Sequence, residues 1–310
     1  MRPEPSLAPA ASGVPHRSQL LAGLALAAAG AIAFSGKAII IKLAYRHEVD
    51  PATLIMYRML LALPFFVAMA WWAGRGQAPL TARQWRGVLF LGFIGYYLSS
   101  YLDFLGLQYI SASLERLILY LNPTLVALLG LLLYQRRVGL RQVIGMAVSY
   151  SGILVVFAHE LALQGQAVVL GGALVFASAL FYALYMVYSG ELVRRLGSLR
   201  LVGLATTVAC LCCILQFLWL RPIAAASVVP EVLWLSLINA TVCTVAPVLL
   251  VMMAIERIGS SLTAQVGMVG PMVTLLLSGL ILGEVISAWV LAGTALVLAG
   301  VYVVTRGRSP

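Results

Sequence analysis

Charge is scarce in this sequence. Asp, Glu, Lys and Arg make up 10% of its 310 residues, where a soluble chain carries about a quarter. So few polar groups cannot cover the surface of a water-soluble protein of this length, and a soluble fold is excluded. Nucleotide-handling motifs are also missing: no G-x-x-x-x-G-K-[ST] stretch occurs, which argues against ATP hydrolysis by this chain. The absence of H-E-x-x-H and G-x-S-x-G weighs against the alternative of a polytopic membrane enzyme acting on lipid or peptide. Histidine is rare, and His16, His47 and His159 fall in loops without ligand-like partners, so neither a metal nor a cofactor is expected. The four cysteines, Cys210, Cys212, Cys213 and Cys243, sit inside apolar runs and read as packing residues. The net charge of +10 is scattered through loops with no interleaved aromatics, so nucleic acid is not an expected partner.

What is abundant is apolar length: 62% of the residues are hydrophobic. Cutting at charges and Gly/Pro clusters predicts ten helices near 20–44, 52–72, 86–108, 111–134, 139–158, 166–189, 199–220, 230–254, 260–282 and 286–305. Each has about 20 residues or more, enough to cross about 30 Å of hydrocarbon. The fold class expected is an all-α integral membrane protein embedded in a lipid bilayer. Residues 1–18, rich in Pro, Ala and Ser, are expected to form a disordered tail. The run that follows is too long for the core of a cleavable signal peptide.

Basic residues orient the set. With the N-terminus inside, fourteen arginines fall on cytoplasmic segments: Arg2, Arg17, Arg75, Arg83, Arg86, Arg136, Arg137, Arg141, Arg194, Arg195, Arg200, Arg257, Arg306 and Arg308. Only Arg46 and Arg221 fall on external loops. The positive-inside rule then places both termini in the cytoplasm, as expected for a multi-pass protein of the inner membrane.

The chain repeats itself. GSSLTAQVGMVGPMVTLLLSGLIL, residues 259–282, aligns beneath SASLERLILYLNPTLVALLGLLLY, residues 111–134, without a gap at an offset of 148. Pro271 falls under Pro123, Gly293 under Gly145 and Gly300 under Gly152. The two halves are expected at 19–158 and 166–306. Five helices is an odd number, so the second copy lies upside-down. QRRVGLR of the first copy aligns with arginine-free GEVISAW of the second, in keeping with that inversion. Inverted repeats are characteristic of secondary transporters, whose halves rock about a site near the midplane.

Ten helices, two inverted five-helix halves and a proline in the fourth helix of each half resemble the drug/metabolite transporter superfamily, EamA type. The aromatic-rich first half is most similar to the YddG-like amino-acid exporters. The resemblance implies export of small metabolites, amino acids above all, through a central cavity lined by both halves. Efflux or uptake of another small organic solute is the alternative within transport.

Five ionisable side chains fall well inside the spans: Lys37, Arg58, Asp103, Glu115 and Arg116. By the helical rise each lies roughly 6–11 Å to the external side of its helix midpoint. Intramembrane charge is a functional hypothesis by default, and Lys37 and Arg58 are candidates for binding a substrate carboxylate. Asp103, Glu115 and Arg116 admit a second reading, as ion pairs at the outer mouth, with Asp103 facing Arg116 across a hairpin near residue 110. Glu115, in the first turn of its helix, would also suit the positive helix terminus.

Tyrosines away from the interface point to a polar cavity, because buried hydroxyls need partners. Tyr97 and Tyr101 share one face of helix 3, and Tyr120 precedes Pro123 by one turn. On helix 6, Tyr185 shares a face with Tyr182. Asn239 and Gln265 are further polar candidates for the cavity wall. Pro123, Pro247 and Pro271 are candidate helix breaks or hinges.

Overall fold

The computed structural model describes residues 17–134, 139–267 and 269–306, so residues 1–16 of the expected tail lie outside the described residues. Among the described residues every regular element is helical. The chain runs through α1 (Arg17–Tyr45), α2 (Pro51–Gly74), α3 (Ala82–Gly106), α4 (112–134) and α5 (Leu140–Gln164). It continues through α6 (Ala167–Leu196), α7 (Ser198–Leu220), α8 (Pro230–Ile258), α9 (259–282) and α10 (Ala288–Arg306). Among the described residues eight helices are long and apolar enough to cross a membrane, and shorter apolar helices supply α9 and α10. The short connections make successive helices antiparallel, so both ends of the bundle lie on one face, called here the N-terminal side. The opposite face is the far side. Between α6 and α7 stands the single residue Gly197, whose φ of +79 is open to glycine and strained for other residues.

One boundary differs from the sequence expectation. A loop near residues 255–259 is expected between α8 and α9, yet helical structure continues from Ala246 to Gly267. The chain nevertheless reverses there. Ile258 packs on Gly23, whereas Gly270 packs on Ser35, about 18 Å further along α1 by the helical rise.

The repeat is visible in the hydrogen bonding. Helix α4 stops at Leu119 and resumes at Asn122; α9 stops at Gly267 and resumes at Gly270. Both limits differ by 148 residues. Pro123 and Pro271 each sit second in the resuming segment, where a missing N–H costs no intrahelical bond. A second pair of irregularities obeys the same offset. α3 widens into a π-helix over Gly92–Leu98, and α8 does so over Thr241–Val245.

The principal packing joins the halves rather than closing each one: α1 on α8, α3 on α6, α2 on α7 and α5 on α10. Reciprocal contacts reveal a pseudo-two-fold axis. Gly23 lies against Arg257 and Ile258, and Gly171 lies against Tyr109 and Ile110, the same pair shifted by 148. Where α5 crosses α10, a Cβ on Gly145 would come within 2.7 Å of the Gly300 carbonyl oxygen. A Cβ on Gly152 would come within 2.6 Å of the Gly293 oxygen. Such small-residue crossings let helices approach closely in lipid, where apolar burial gives no drive for helix association. Large apolar side chains face outward around the bundle, as a lipid-facing surface requires: Leu132, Leu154, Leu215 and Trp219 are all more than 60% exposed.

Candidate functional site

A cavity of about 410 Å³ lies between the halves, inside the usual range for small-molecule sites of about 300–1,000 Å³. Both irregular features of the fold border it. Tyr120, Asn122, Pro123 and Gly267 come from the helix breaks, Gly95 and Tyr96 from the α3 π-helix, and Thr244 from the α8 π-helix. A π-turn or broken helix frees backbone groups and re-aims side chains, which is why such features cluster at functional sites.

The far half of the cavity is ionic. Lys37 Nζ lies 2.6 Å from Asp103 Oδ2 and 3.1 Å from Glu115 Oε1. Glu115 is fully buried behind Lys37. Arg58 donates from Nε to Thr244 Oγ1 at 2.9 Å, and Thr244 in turn donates to the Asn239 carbonyl at 2.7 Å. Arg116 donates to Ser35 Oγ at 3.3 Å and lies 5.3 Å over the Phe34 ring. The half nearer the N-terminal side is aromatic and apolar, with Phe66, Tyr96, Tyr182 and Met186 on its wall. Tyr182 stacks on Tyr185 with centroids 5.6 Å apart, and Tyr96 meets Tyr185 edge-on at 5.0 Å.

Of the residues singled out in the sequence, Lys37, Arg58, Tyr120, Pro123, Asp103 and Arg116 line this cavity. Tyr97 and Tyr101 do not line it; they pack into the apolar cluster with Phe104 and Leu107. The inward face of α3 is instead Tyr96, Ser99, Ser100 and Asp103. Drawing the helical face through Asp103 would have found Tyr96, seven residues earlier. Tyr185 is buried one layer behind Tyr182, against Gly95. Asn239 is fully buried off the cavity with neither side-chain polar atom partnered. Pro247 follows the α8 π-helix and faces Gly30 of α1, and Pro271 is buried. The Gln265 side chain lies outside the described residues.

The ion pairs differ from the pairing expected at an outer mouth. Asp103 and Glu115 both take Lys37, and among the described residues Arg116 has no carboxylate within 4.0 Å. The reason is that Lys37 of α1 reaches the carboxylate of α3 and that of α4 at once and stands where the guanidinium was expected. Glu115 does stand in the first turn of α4, but the hydrogen bonds at that helix end are made by other carboxylates. Glu284 takes that place, accepting from Ala112 N at 2.8 Å and Ser113 Oγ at 2.9 Å. Glu160 accepts from Ser111 N at 3.3 Å and from its hydroxyl. Carboxylates suit the positive end of a helix, and these two tie α4 to the end of α5 and to the α9–α10 turn. On the same side, Asp50 caps α2 through Ala52 N and Thr53 N and pairs with Arg221 at 3.1 Å. Partial burial raises the Asp50 pKa, but hydrogen bonds from Thr53, the Arg221 guanidinium and the Ala52 N–H outweigh it and hold the carboxyl below its ordinary value. Among the described residues no group of three or more His, Cys, Asp or Glu could hold a metal ion.

Known proteins resemble this chain. The profile of the EamA-like transporter family matches twice, over residues 21–158 and 169–306. The uncharacterized transporter YcbK of Bacillus subtilis (strain 168) is 30% identical over 272 residues, covering 82% of this chain and 83% of its own. An uncharacterized transporter of Archaeoglobus fulgidus is 25% identical over 273 residues, covering 88% and 93%. A protein of known crystal structure superposes with a TM-score of 0.60 at 20% identity, over 92% of this chain and 96% of that one, and shares the fold. Two matches in tandem, each on one half of a ten-helix bundle with a cavity between them, settle the family: this chain belongs to the EamA-like transporters.

Proposed function

We propose that this chain exports small amphipathic metabolites, foremost amino acids with apolar or aromatic side chains, across the inner membrane by alternating access. The observation that carries this reading is the two-ended cavity. Lys37, Asp103, Arg58 and Arg116 gather at one end, and Tyr96, Tyr182, Phe66 and Met186 at the other. Such a space complements a molecule with a charged head and an apolar body.

The basic residues and the packing support the assignment of the two sides. Positive loops make the N-terminal side cytoplasmic. Beyond Lys37 and Asp103 toward the far side, Ile41, Ala44, Phe104, Leu107 and Leu114 are all fully buried, so that exit is closed. In the proposed cycle this state, closed on the far side, is the one that takes substrate from the cytoplasm. Release requires the halves to rock, with Pro123 and Pro271 as hinge points at the two helix breaks and Pro247 beside the α8 π-helix.

Counterflow tests the reading. Proteoliposomes preloaded with single unlabelled amino acids are expected to take up labelled phenylalanine or methionine saturably, with neither gradient nor ATP. No exchange across the panel by correctly folded protein overturns the amino-acid assignment.

A further inference from the structure

The charges around the cavity do not balance. Three cations, Lys37, Arg58 and Arg116, face two carboxylates, Asp103 and Glu115. The two carboxylates share one ammonium, that of Lys37, so this group of three carries one net negative charge. The guanidiniums stand apart from it, since among the described residues neither has a carboxylate within 4.0 Å, and with them the wall carries one net positive charge. Each is more than nine-tenths buried. Arg58 is satisfied in part by a threonine hydroxyl and the Phe104 face, and Arg116 by a serine hydroxyl and the Phe34 face, while Arg116 Nε has no partner. An uncompensated buried cation is costly, and a carboxylate is the group a guanidinium fork fits best.

We infer that Arg58 and Arg116 recognise the ligand through its carboxylate, that an α-ammonium is dispensable, and that the cavity accepts amphipathic monocarboxylates as well as amino acids. This rests on the reading of the cavity as the transport site. A monocarboxylate brings the single negative charge that the wall lacks. An ammonium has poorer prospects. Asp103 Oδ1 is the carboxylate oxygen of the cavity wall that lacks a hydrogen bond, and Lys37 sits 2.6 Å from its sister oxygen, where it repels a second cation.

Four probes of one shape separate the groups: phenylalanine, 3-phenylpropionate, phenethylamine and phenylalaninamide. The readout is the shift of the thermal transition of the purified protein in detergent as each probe is titrated. The expected result is stabilisation by the two carboxylates, with apparent Kd values within about threefold of each other, and none by the two amines. Arg116→Gln is expected to weaken 3-phenylpropionate about tenfold or more. The wild-type panel stands even if that variant fails to fold. Stabilisation by phenylalanine without 3-phenylpropionate overturns the inference and leaves the amino-acid reading intact. Stabilisation by 3-phenylpropionate without phenylalanine supports recognition through the carboxylate but overturns acceptance of both classes, and the amino-acid reading with it. Stabilisation by phenethylamine, or by none of the four, overturns the inference.

Discussion

Lys37 holds two carboxylates, and its loss would leave both buried without their nearest cation. Removing one partner of a buried pair costs about 3–5 kcal/mol, so Lys37→Met is expected to lower the thermal midpoint sharply. Adding Asp103→Asn to that variant should recover much of the loss, because one of the two stranded charges is then gone. A Lys37→Met protein as stable as the parent would show that the carboxylates do not depend on this lysine. Asp50 offers a milder case at the bundle edge. Asp50→Ala deletes an N-cap and an exposed pair, worth about 1–2 kcal/mol together. Because the folded carboxyl titrates below its ordinary 3.8, its contribution is complete above that pH and fades as pH falls through the folded value. The gap between Asp50→Ala and wild type, followed by thermal melts, should therefore narrow below about pH 4 and not at higher pH. The sequence marks every one of these charges, because charge within an apolar run is conspicuous. It does not say which helices touch, so the Lys37 pairings and the unmatched state of Arg116 emerge only in three dimensions.

Helices carry the symmetry in their glycines and their faults. Gly145, Gly152, Gly293 and Gly300 are legible because an offset of 148 repeats them, and the structure shows their purpose at the α5–α10 crossing. Gly293→Val would drive a side chain into Val156 and the Gly152 carbonyl, so a loss of about 3 kcal/mol or failure to fold is expected. Gly190→Ala is the control. Nothing lies within 4 Å of a Cβ there, and alanine in a helix interior should be neutral or stabilise by about 0.5–1 kcal/mol. Equal melting temperatures for the two variants would refute the close crossing. The helix breaks were legible through Pro123 and Pro271. The π-helices were not, because no residue type demands one. The pair on α3 and α8 keeps its irregularity where side chains diverge, with Thr244 as the counterpart of Tyr96 and both lining the cavity, whereas the π-helix at Ser278–Leu282 has α-helix at its counterpart, residues 130–134.

The whole molecule is symmetric in its backbone and asymmetric at its two ends. On the far side, Glu284 of the second half holds the start of α4 in the first, reinforced by the Ser113 and Ser278 hydroxyls 2.9 Å apart and by Glu160. The repeat-related positions of Glu284 and Glu160 are Arg136 and Arg308 in the sequence, both outside the described residues. An arginine cannot accept hydrogen bonds from a helix N-terminus, so in the sequence the two carboxylates of this latch have no repeat-related counterpart. Under the proposed cycle the latch must part each time the cavity opens to the far side. A cleavable thiol cross-linker joining Ser113→Cys to Glu284→Cys, in a Cys212→Ala background, should therefore abolish counterflow, and cleaving the linker should restore it. Within the cross-linked protein, a cysteine at Met186 should still react with a thiol reagent applied from the N-terminal side, because the cavity wall reaches that residue. Counterflow that survives complete cross-linking would mean substrate leaves without separating α4 from the α9–α10 turn. Loss of counterflow with Met186→Cys still reactive would instead fix this contact, where Glu284 of one half meets the helix end of the other, as the far-side gate.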